Sequence, residues 1–503
     1  MKKIILIFSI IALGLAACEK QLDQSPISQM SVGGFFRNDA DFDQALSSVY
    51  NSLHNYPWRE FYLSDVRSDN IYGVGEMGVR DWEPINNFAK TIAVNTYMSE
   101  AWNSDYTGIM RANTVLDNLN NGKISSDAVK IKIEAQVRFL RAFYYFDLVK
   151  IFGKAPLIDH LMTPNELLTL DRAPVADIYD FIIADLNFAI ANLDEYYPKG
   201  NANCGRATKN AARGILARVY LTRSGPTYGI EGPGLATNDY GTALGLLNDV
   251  IGSTHYSTLP SYASIFAYNN ENNAEVVWDI QFMSGGGAGA DYPGELSCRD
   301  WWNSVNIPWD IGLENKDVSE DLIGKFDKVN DKRFNATLVL GYINKSSGLY
   351  VYDPCIIKYS SSKTTDWGAS RSDFPINYIV LRYADILLMK AECILQGATG
   401  TQTDVNTIVN GIRIRAGLTS LPGNVTLNDL LAERRMEFLG EGLRWGDLVR
   451  TGKVISVMNA WIPGEDVRGQ MAHPIDADMI IYPIPQNQMT VKKGLYTQNH
   501  GYE

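Results

Sequence analysis

Cysteine and histidine are both scarce in this sequence, with 5 of each among 503 residues. The cysteines that follow Cys18 lie far apart and form no C-x-x-C pair, so neither a zinc ribbon nor a thioredoxin-type redox site is expected. The histidines are not paired at ligand spacing, which argues against metal catalysis. We therefore expect no metal and no other cofactor. The sequence leaves open whether disulfides join any of these later cysteines, which are Cys204, Cys298, Cys355 and Cys393.

Basic residues are fewer than acidic ones. Lys and Arg number 45 against 57 Asp and Glu, which gives a formal net charge of -12. A nucleic-acid binder needs a basic patch that can neutralise phosphates, and no such patch is apparent. We expect no nucleic-acid partner.

Motifs of common enzyme classes are missing as well. The sequence has no nucleophile elbow and no His-Glu-x-x-His pair. The glycine-rich run Ser284–Ala290 lacks the Lys and Ser/Thr that follow the glycines of a phosphate-binding loop. The paired carboxylates of a glycosidase leave no fixed spacing in sequence, so a surface-anchored glycosidase stays open as an alternative to a non-catalytic protein.

The N-terminus has the pattern of a secretory signal peptide. Two lysines precede the apolar run Ile4–Leu15, which is shorter than the roughly 20 residues of a membrane-spanning helix. The run ends in small residues, as signal peptides do. Residues 15–18, Leu-Ala-Ala-Cys, have the form after which bacteria acylate the cysteine. We predict a signal peptide at 1–17, lipidation of Cys18 and a tether at 18–35.

Helical periodicity dominates the chain from Asp39 to about Ile251. Between Ile133 and Ile151 apolar residues recur three and four positions apart, and three phenylalanines add a second apolar face. A helix that is apolar on two faces must be packed between other elements, and Gly153 followed by Pro156 supplies its stop signal. Further helices are predicted at about Ala176–Leu193, from a cap at Thr208 to Thr222, and at Asp239–Val250.

Paired helices with a period of about 34 residues are typical of tetratricopeptide repeats. A similar hairpin is predicted from Leu381–Leu395 and Asp404–Arg415. Between about Pro260 and Pro375 the periodicity fades into loops with short strand-like runs such as Glu275–Phe282. We predict a mainly α fold, a tetratricopeptide-like helical repeat scaffold with long loops and a few short strands. Its N-terminal region spans 36–260 and its C-terminal region 261–503.

The segment Glu433–Arg450, ERRMEFLGEGLRWGDLVR, is dense in charge of both signs. Three of its glutamates recur every four residues, which is a helical spacing. The pairs Glu441–Arg444 and Asp447–Arg450 are three apart and can bond across a helical turn. Apolar side chains between them supply a surface for burial. We predict a structural ion-pair network against a core rather than a catalytic use of these carboxylates.

This charged segment closely resembles the C-terminal signature of the SusD/RagB family of outer-membrane nutrient-binding lipoproteins. Together with the lipoprotein N-terminus, the matching segments cover nearly the whole mature chain in the family's order. One departure is the ending, Asn499-His500-Gly501-Tyr502, where the family usually has Asn-Pro-Gly-Tyr. The other segments that carry the resemblance are EAQVRFLRAFYYFDLVKIFGKAPL at 134–157, ATKNAARGILARVYLTRSG at 207–225, YIVLRYADILLMKAECI at 378–394 joined to VNGIRIRAGL at 409–418, and the terminal IYPIPQNQ with TQNHGYE.

The resemblance implies a lipid-anchored protein on the outer membrane, facing the exterior, that captures oligosaccharide or polysaccharide without catalysis. It implies a SusC-like TonB-dependent transporter as the partner, with this protein as the lid. A peptide ligand is the runner-up, because related binders in this family take peptides. A pure assembly scaffold is a third hypothesis, since tetratricopeptide-like arrays usually bind peptides or proteins.

Loop aromatics are the candidates for ligand contact. The sequence has 27 Tyr and 10 Trp, residues that sugar-binding clefts and protein interfaces both use. Loops rich in Gly and Pro offer few aliphatic neighbours, so we predict exposed aromatic faces that stack on pyranose rings. The alternative for any loop tryptophan is that it anchors its own loop. The candidates are Trp82, Trp301 and Trp302, followed by Tyr72, Tyr292, Trp309 and Trp367; Trp102 and Tyr106 are instead predicted to belong to the core.

Lipidation predicts the behaviour of one variant. Cys18→Ser should leave the chain without its acyl groups and release it from the membrane fraction, because acyl chains contribute about 0.8 kcal/mol of membrane affinity per buried methylene. Metabolic labelling with an acyl-chain analogue measures this, with Cys204→Ser as the matched control that should stay labelled. Label on the Cys18→Ser protein would contradict the prediction.

Overall fold

The computed structural model describes residues 32–73, 80–120, 122–307 and 317–502. The predicted signal peptide, the lipidation site Cys18 and most of the predicted tether lie outside these residues, as does Trp309. The last four residues of the tether form a short helix. The helices in the described residues are α1 (Val32–Phe35), α2 (Asp39–Asn51), α3 (Tyr56–Glu60), α4 (Glu83–Asn86), α5 (Thr96–Asn118), α6 (Asp127–Phe152), α7 (Pro164–Leu167), α8 (Val175–Asn192), α9 (Lys209–Ser224), α10 (Tyr240–Gly252), α11 (Tyr292–Leu296), α12 (Arg299–Ser304), α13 (Glu320–Lys325), α14 (Lys332–Thr337), α15 (Tyr383–Leu395), α16 (Gln402–Arg415), α17 (Leu427–Glu437), α18 (Arg444–Arg450), α19 (Val454–Glu465) and α20 (Gln486–Val491).

The short strands join only in pairs and form no extended sheet within the described residues. Each pair is antiparallel: β1 (Ile71–Tyr72) with β5 (Asp317–Val318), β2 (Ala155–Pro156) with β3 (Arg172–Ala173), β4 (Val276–Ile280) with β8 (Tyr378–Arg382), and β6 (Leu338–Ile343) with β7 (Tyr350–Ile356). A disulfide joins Cys298 to Cys355 and so fastens the start of α12 to β7. Single helical turns of tighter pitch lie at Ser52–Asn55, Ile92–Val94, Ala263–Phe266, Thr364–Asp366 and Ala477–Met479.

The long helices form a serial array. Helix α5 packs against α6, α6 against α8, α8 against α9 and α9 against α10, so each helix contacts mainly its neighbours, as in a solenoid. The array then continues from α10 to α15 and from α15 to α16. The prediction of a mainly α, tetratricopeptide-like scaffold with long loops and a few short strands is confirmed. The loop-rich segment 253–382 is an insertion between two helices that contact each other.

Helix α6 shows why the sequence folds this way. Ser126 caps its N-terminus by accepting from the backbone of Val129, and Gly153 ends it with a φ of 67°, which a residue with a side chain rarely adopts. Both apolar faces are buried, between α5 on one side and α8 on the other. At Gly108 of α5 a side chain would collide with the ring of Tyr144, so the glycine permits the close approach of these helices.

Most predicted boundaries agree with the structure to within a few residues. Thr208 caps α9 as predicted, by accepting from the backbone N–H of Ala211. The predicted hairpin at Leu381 begins two residues later, because Leu381 and Arg382 belong to β8. Trp102 is buried, as predicted for a core residue. The division of the chain at residue 260 stays a prediction.

The charged segment is not one helix. Helix α17 ends at Glu437, and Gly440 and Gly442 adopt φ values of 78° and 69° before α18 begins at Arg444. A Cβ at Gly442 would collide with the side chain of Glu60, so glycine is required there for both reasons. Glu441 therefore lies in a turn, and the predicted Glu441–Arg444 bond is wrong.

The predicted ion-pair network does exist, but most of its partners come from distant segments. Arg434 bonds Asp385 at 2.7 Å and Asp447 at 2.8 Å, and all three side chains are buried. The predicted bond from Arg450 to Asp447 forms at 2.5 Å, and Arg450 also bonds Glu392 at 2.7 Å. Helices α15, α17 and α18 are thereby joined.

Glu437 and Glu441 form a second part of this network. Glu437 bonds Arg382 at 2.6 Å, Arg333 at 3.1 Å and also Arg415. Burial alone would raise the pKa of Glu437, but the surrounding guanidinium groups hold it well below its usual range. Glu441 bonds Arg382 at 2.8 Å and Lys358 at 2.7 Å. The array and its insertion therefore share one set of buried charges.

Asp69 links the N-terminal part of the chain to the charged segment through a further set of ion pairs. Arg444 bonds both of its carboxylate oxygens at 2.8 Å, and Arg435 lies 3.2 Å away. Burial tends to raise the pKa of Asp69, but these two arginines offset that effect and lower it to about 2. Asp69 is therefore charged at neutral pH.

Arg444→Ala should destabilise the protein, because it leaves the buried Asp69 carboxylate with one cation fewer. Removing one member of a buried pair typically costs about 3 to 5 kcal/mol of unfolding free energy. Thermal or urea unfolding measures this, with Lys132→Ala as the control, since Lys132 forms an exposed pair with Asp194. An unchanged midpoint for Arg444→Ala would mean that this network does not hold the fold.

Candidate functional site

Four predicted ligand residues are buried in the structure. Their relative exposures are 0% for Trp302, 1% for Tyr292, 3% for Trp82 and 8% for Trp301. The prediction that they expose flat faces is wrong, because distant segments cover them. Tyr292 donates to the backbone oxygens of Ile376 and Asn377, and Trp302 packs against Phe374.

Two of the other predicted ligand residues, Trp367 and Tyr72, are half-buried. Trp367 donates from Nε1 to the backbone oxygen of Ser361 at 2.8 Å, so it anchors its own loop rather than standing at an exposed tip. Tyr72 is half-buried and donates its hydroxyl to Asp466 at 2.9 Å. Trp309 lies outside the described residues. No solvent-facing platform is built from the described members of the predicted set.

An aromatic cluster does form around one of them. The ring centroids of Tyr62 and Tyr97 are 4.2 Å apart, and those of Trp58 and Tyr97 are 4.6 Å apart. The rings of Trp82 and Tyr62 are stacked, with centroids 6.2 Å apart. Trp58 is half-buried, whereas the other three are buried. We call these four residues the aromatic cluster; Trp58 is its solvent-accessible member.

Three local structures bring these rings together. Trp58 lies on α3, which continues into a wide π-helical turn at Phe61–Val66 that carries Tyr62. Such turns are rare and are often found at functional sites. Tyr97 lies in the first turn of α5, where the Asn95 side chain caps the helix and donates to the backbone oxygen of Asp81 at 2.5 Å. Asn95 thereby fixes the segment that carries Trp82 beside Tyr97.

Carboxylates surround the aromatic cluster. Tyr62 donates its hydroxyl to Glu295 of α11 at 2.7 Å, which joins two distant parts of the chain. Burial, and then the charge of Glu295, raise the pKa of Asp291. Burial followed by the charges of Asp291 and Asp81 raises the pKa of Glu100. Carboxylate oxygens accept hydrogen bonds, so this arrangement suits a ligand that offers several hydroxyl donors beside an apolar face.

A separate groove of about 640 Å³ lies elsewhere on the surface, between α5, the segment 156–170 and α20. Its walls are mainly aliphatic and include the exposed Met110, Leu161 and Val491. Tyr106, which was predicted to be core, is half-buried there and donates its hydroxyl to the backbone oxygen of Pro156. With few polar groups in its lining, this groove does not suit a polyhydroxy ligand.

Sequence reasoning missed most of this arrangement. Of the aromatic cluster, only Trp82 was a predicted ligand residue, and nothing local marked Tyr97, Asp291 or Glu295. Asp291 and Glu295 lie more than 190 positions after Tyr97, and the packing of α11 near α3 brings them together. Conservation across relatives would have been the available signal.

Family models match both ends of the chain. One, described as starch-binding and associating with the outer membrane, matches residues 20–221, and the model of the SusD family matches residues 341–502. A SusD-like protein of Bacteroides ovatus is 29% identical over 477 residues, spanning 89% of this chain and 82% of the relative. The starch-binding protein SusD of Bacteroides thetaiotaomicron is 25% identical, with 75% of this chain and 74% of the relative covered.

A solved structure matches nearly the whole chain. It is surface glycan-binding protein A from Bacteroides thetaiotaomicron in complex with laminarihexaose. The TM-score is 0.77 at 25% identity, and the match covers 92% of this chain and 99% of the other.

Trp302→Ala should weaken folding, because burial makes Trp302 a core residue. Truncating a buried tryptophan typically costs about 3 to 5 kcal/mol of unfolding free energy. The half-buried Trp58→Ala is the matched control and should cost less. Urea unfolding of both variants makes the comparison. If Trp302→Ala unfolds at the midpoint of the parent, Trp302 is not a core residue and becomes a ligand candidate again.

Proposed function

We propose that this chain, which belongs to the SusD/RagB family, is an outer-membrane surface lipoprotein that binds a neutral oligosaccharide or polysaccharide and delivers it to a SusC-like TonB-dependent transporter. The observation that carries the glycan part is the likeness, along nearly the whole chain, to a glycan-binding protein complexed with laminarihexaose. The aromatic cluster and its carboxylates are the site we propose for that ligand.

The chemistry of this site supports a neutral glycan. The C–H face of a pyranose ring is apolar and its rim carries hydroxyls, so it pairs with an aromatic face and with carboxylate acceptors at once. Trp58 offers the accessible ring, and Glu295, Asp291 and Glu100 offer the acceptors. An anionic glycan would meet repulsion from the same carboxylates.

The membrane part of the proposal rests on the N-terminus and on the family. The first family model is described as associating with the outer membrane, and Cys18 follows a lipoprotein signal. Within the described ranges, none of the helices combines the length and apolarity needed to cross a membrane. We propose that the lipid on Cys18 provides the anchor and that the helical array provides the docking face for the transporter.

We further propose that the protein binds its glycan without cleaving it. Incubation of the pure protein with laminarin and starch, followed by analysis of released sugar, tests this directly. Release of oligosaccharide that stops in a Glu295→Gln variant would instead establish the glycosidase alternative.

Trp58→Ala should weaken glycan binding by about 1 to 3 kcal/mol, by analogy with aromatic stacking on other flat ligands. Glu295→Gln should also weaken it, because a charged acceptor becomes a neutral amide. Calorimetric titration with laminarihexaose and with maltoheptaose measures both, beside a thermal melt of each variant.

The matched control is Trp367→Ala, a half-buried tryptophan in another loop, which should bind as the parent does. If Trp58→Ala also binds as the parent does, the site lies elsewhere. If the parent binds neither sugar while a peptide library yields a ligand, the protein is a peptide binder of the same family.

A further inference from the structure

The hairpin β6–β7 exposes an unusual amount of apolar surface. Tyr350 is 57% exposed and Tyr352 is 52% exposed, and Ile343 and Leu349 beside them are also exposed. Apolar side chains exposed singly are common, but a contiguous group of this kind marks an interaction surface. Neither the sequence motifs nor the aromatic cluster accounts for it.

The two tyrosines lie on one face of the hairpin. Side chains two positions apart in a strand point the same way, about 6.6 Å apart. Tyr350 lies opposite Ile343, and Tyr352 lies opposite Gly341. Between them Val351 and, after them, Asp353 point to the other face and are half-buried. The outer face therefore presents two phenol rings in sequence along an extended strand.

The ring of Tyr350 lies close to Gly341 of the neighbouring strand. The φ of 157° at Gly341 accompanies an irregularity in the register between Val339 and Gly341. A Cβ built on Gly341 would lie 2.8 Å from the Tyr350 hydroxyl oxygen, so the ring of Tyr350 extends diagonally over the glycine. A ring that lies over a strand glycine turns one face to the backbone and leaves the other free.

A carboxylate holds the second ring in place. Tyr352 donates its hydroxyl to Glu320, at the start of α13, at 2.6 Å. Asp300 accepts from Tyr342 on the inner face at 3.1 Å and is itself exposed. The ring of Tyr352 is thus oriented before any ligand arrives, which lowers the entropic cost of binding. The exposed Glu320 carboxylate beside it is an acceptor for hydroxyl groups.

We propose that Tyr350 and Tyr352 form a second carbohydrate-stacking surface, separate from the aromatic cluster, that binds further sugar units of a neutral polysaccharide. The inference rests on the proposed function, since it takes the same class of ligand. Flat aromatic faces beside acidic acceptors favour a polyhydroxy ligand over an anionic one. A second surface of this kind raises the apparent affinity for a long chain more than for a short one.

The competing explanation is that the tyrosines only cover Gly341 and stabilise the hairpin. A double Leu variant, Tyr350→Leu with Tyr352→Leu, keeps apolar cover and removes the flat rings. The matched double Phe variant keeps the rings and loses only the hydroxyls. Affinities of the parent and both variants for laminarin, amylopectin and laminarihexaose are measured by calorimetry, beside thermal melts.

We expect the double Leu variant to bind the polysaccharide that the parent prefers at least about tenfold more weakly, as loss of stacking predicts. The double Phe variant should bind more tightly than the double Leu variant, because it keeps the rings and loses only the bond that orients Tyr352. Trp58→Ala should still lose affinity for the hexasaccharide. Equal binding by the parent and the double Leu variant overturns this inference alone, and the patch is then a protein interface or a structural feature. If the parent binds none of the three glycans, the proposed function fails and this inference fails with it.

A second measurement covers the case in which the double Leu variant does not fold. Tyrosine nitration of the parent, with and without laminarin, is read out by peptide mass spectrometry. We expect laminarin to protect Tyr350 and Tyr352 several-fold, while the half-buried Tyr240 of α10 reacts equally in both samples. Equal nitration of Tyr350 and Tyr352 with and without bound laminarin overturns the inference.

Discussion

The buried charge network around Arg382, Glu437 and Asp69 is the constraint on which the rest of the structure depends. These side chains come from β8, α17 and the segment before β1, and none of them is solvated. Arg382 and Glu437 compensate each other only when β8 meets α17. Asp69 is compensated only when its segment meets Arg435 of α17 and Arg444 of α18. A network of this kind does not add much stability over an apolar core, but it penalises any other arrangement heavily, because a displaced partner leaves a bare charge in the interior. It therefore specifies how the insertion and the array fit together.

The candidate site depends on the same fit between the insertion and the helical array. Glu295 belongs to the insertion, whereas Trp58, Tyr62 and Tyr97 belong to the N-terminal helices. These residues lie close together only if the insertion packs in one position against α3. Glu60 of α3 contacts the turn at Gly442, which lies beside the buried charges. A charge cluster with no ligand role of its own thus sets the geometry of the surface that we assign to ligand binding.

Most of the fold could be predicted from the sequence, but the candidate site could not. Helix α6 was predicted because its apolar period and its stop signal, Gly153 followed by Pro156, are both local. The charged segment was predicted to be structural, and that is confirmed, but its partners Asp69, Asp385 and Glu392 could not be assigned because pairing in space leaves no spacing in sequence. Trp301, Trp302 and Tyr292 were expected to be exposed because their sequence neighbours are polar or small. Trp302 and Tyr292 are buried because Phe374 and Tyr378, more than 70 positions away, pack on them, and Trp301 is buried beside Trp302. Exposure is a property of the tertiary fold, and composition of a loop does not determine it.

The position of the insertion between α10 and α15 determines which parts of such a protein can change in length. The two helices contact each other directly, so the ends of segment 253–382 are held together whatever lies between them. The entropic cost of closing a loop grows only with the logarithm of its length, about 0.6 kcal/mol for each doubling. Exposed turns of the insertion, such as the one between β6 and β7, can therefore be lengthened or exchanged at little cost to the array. Strand β8 cannot, because its Arg382 belongs to the buried ion pairs. Surface loops and helical architecture can therefore vary almost independently in one chain.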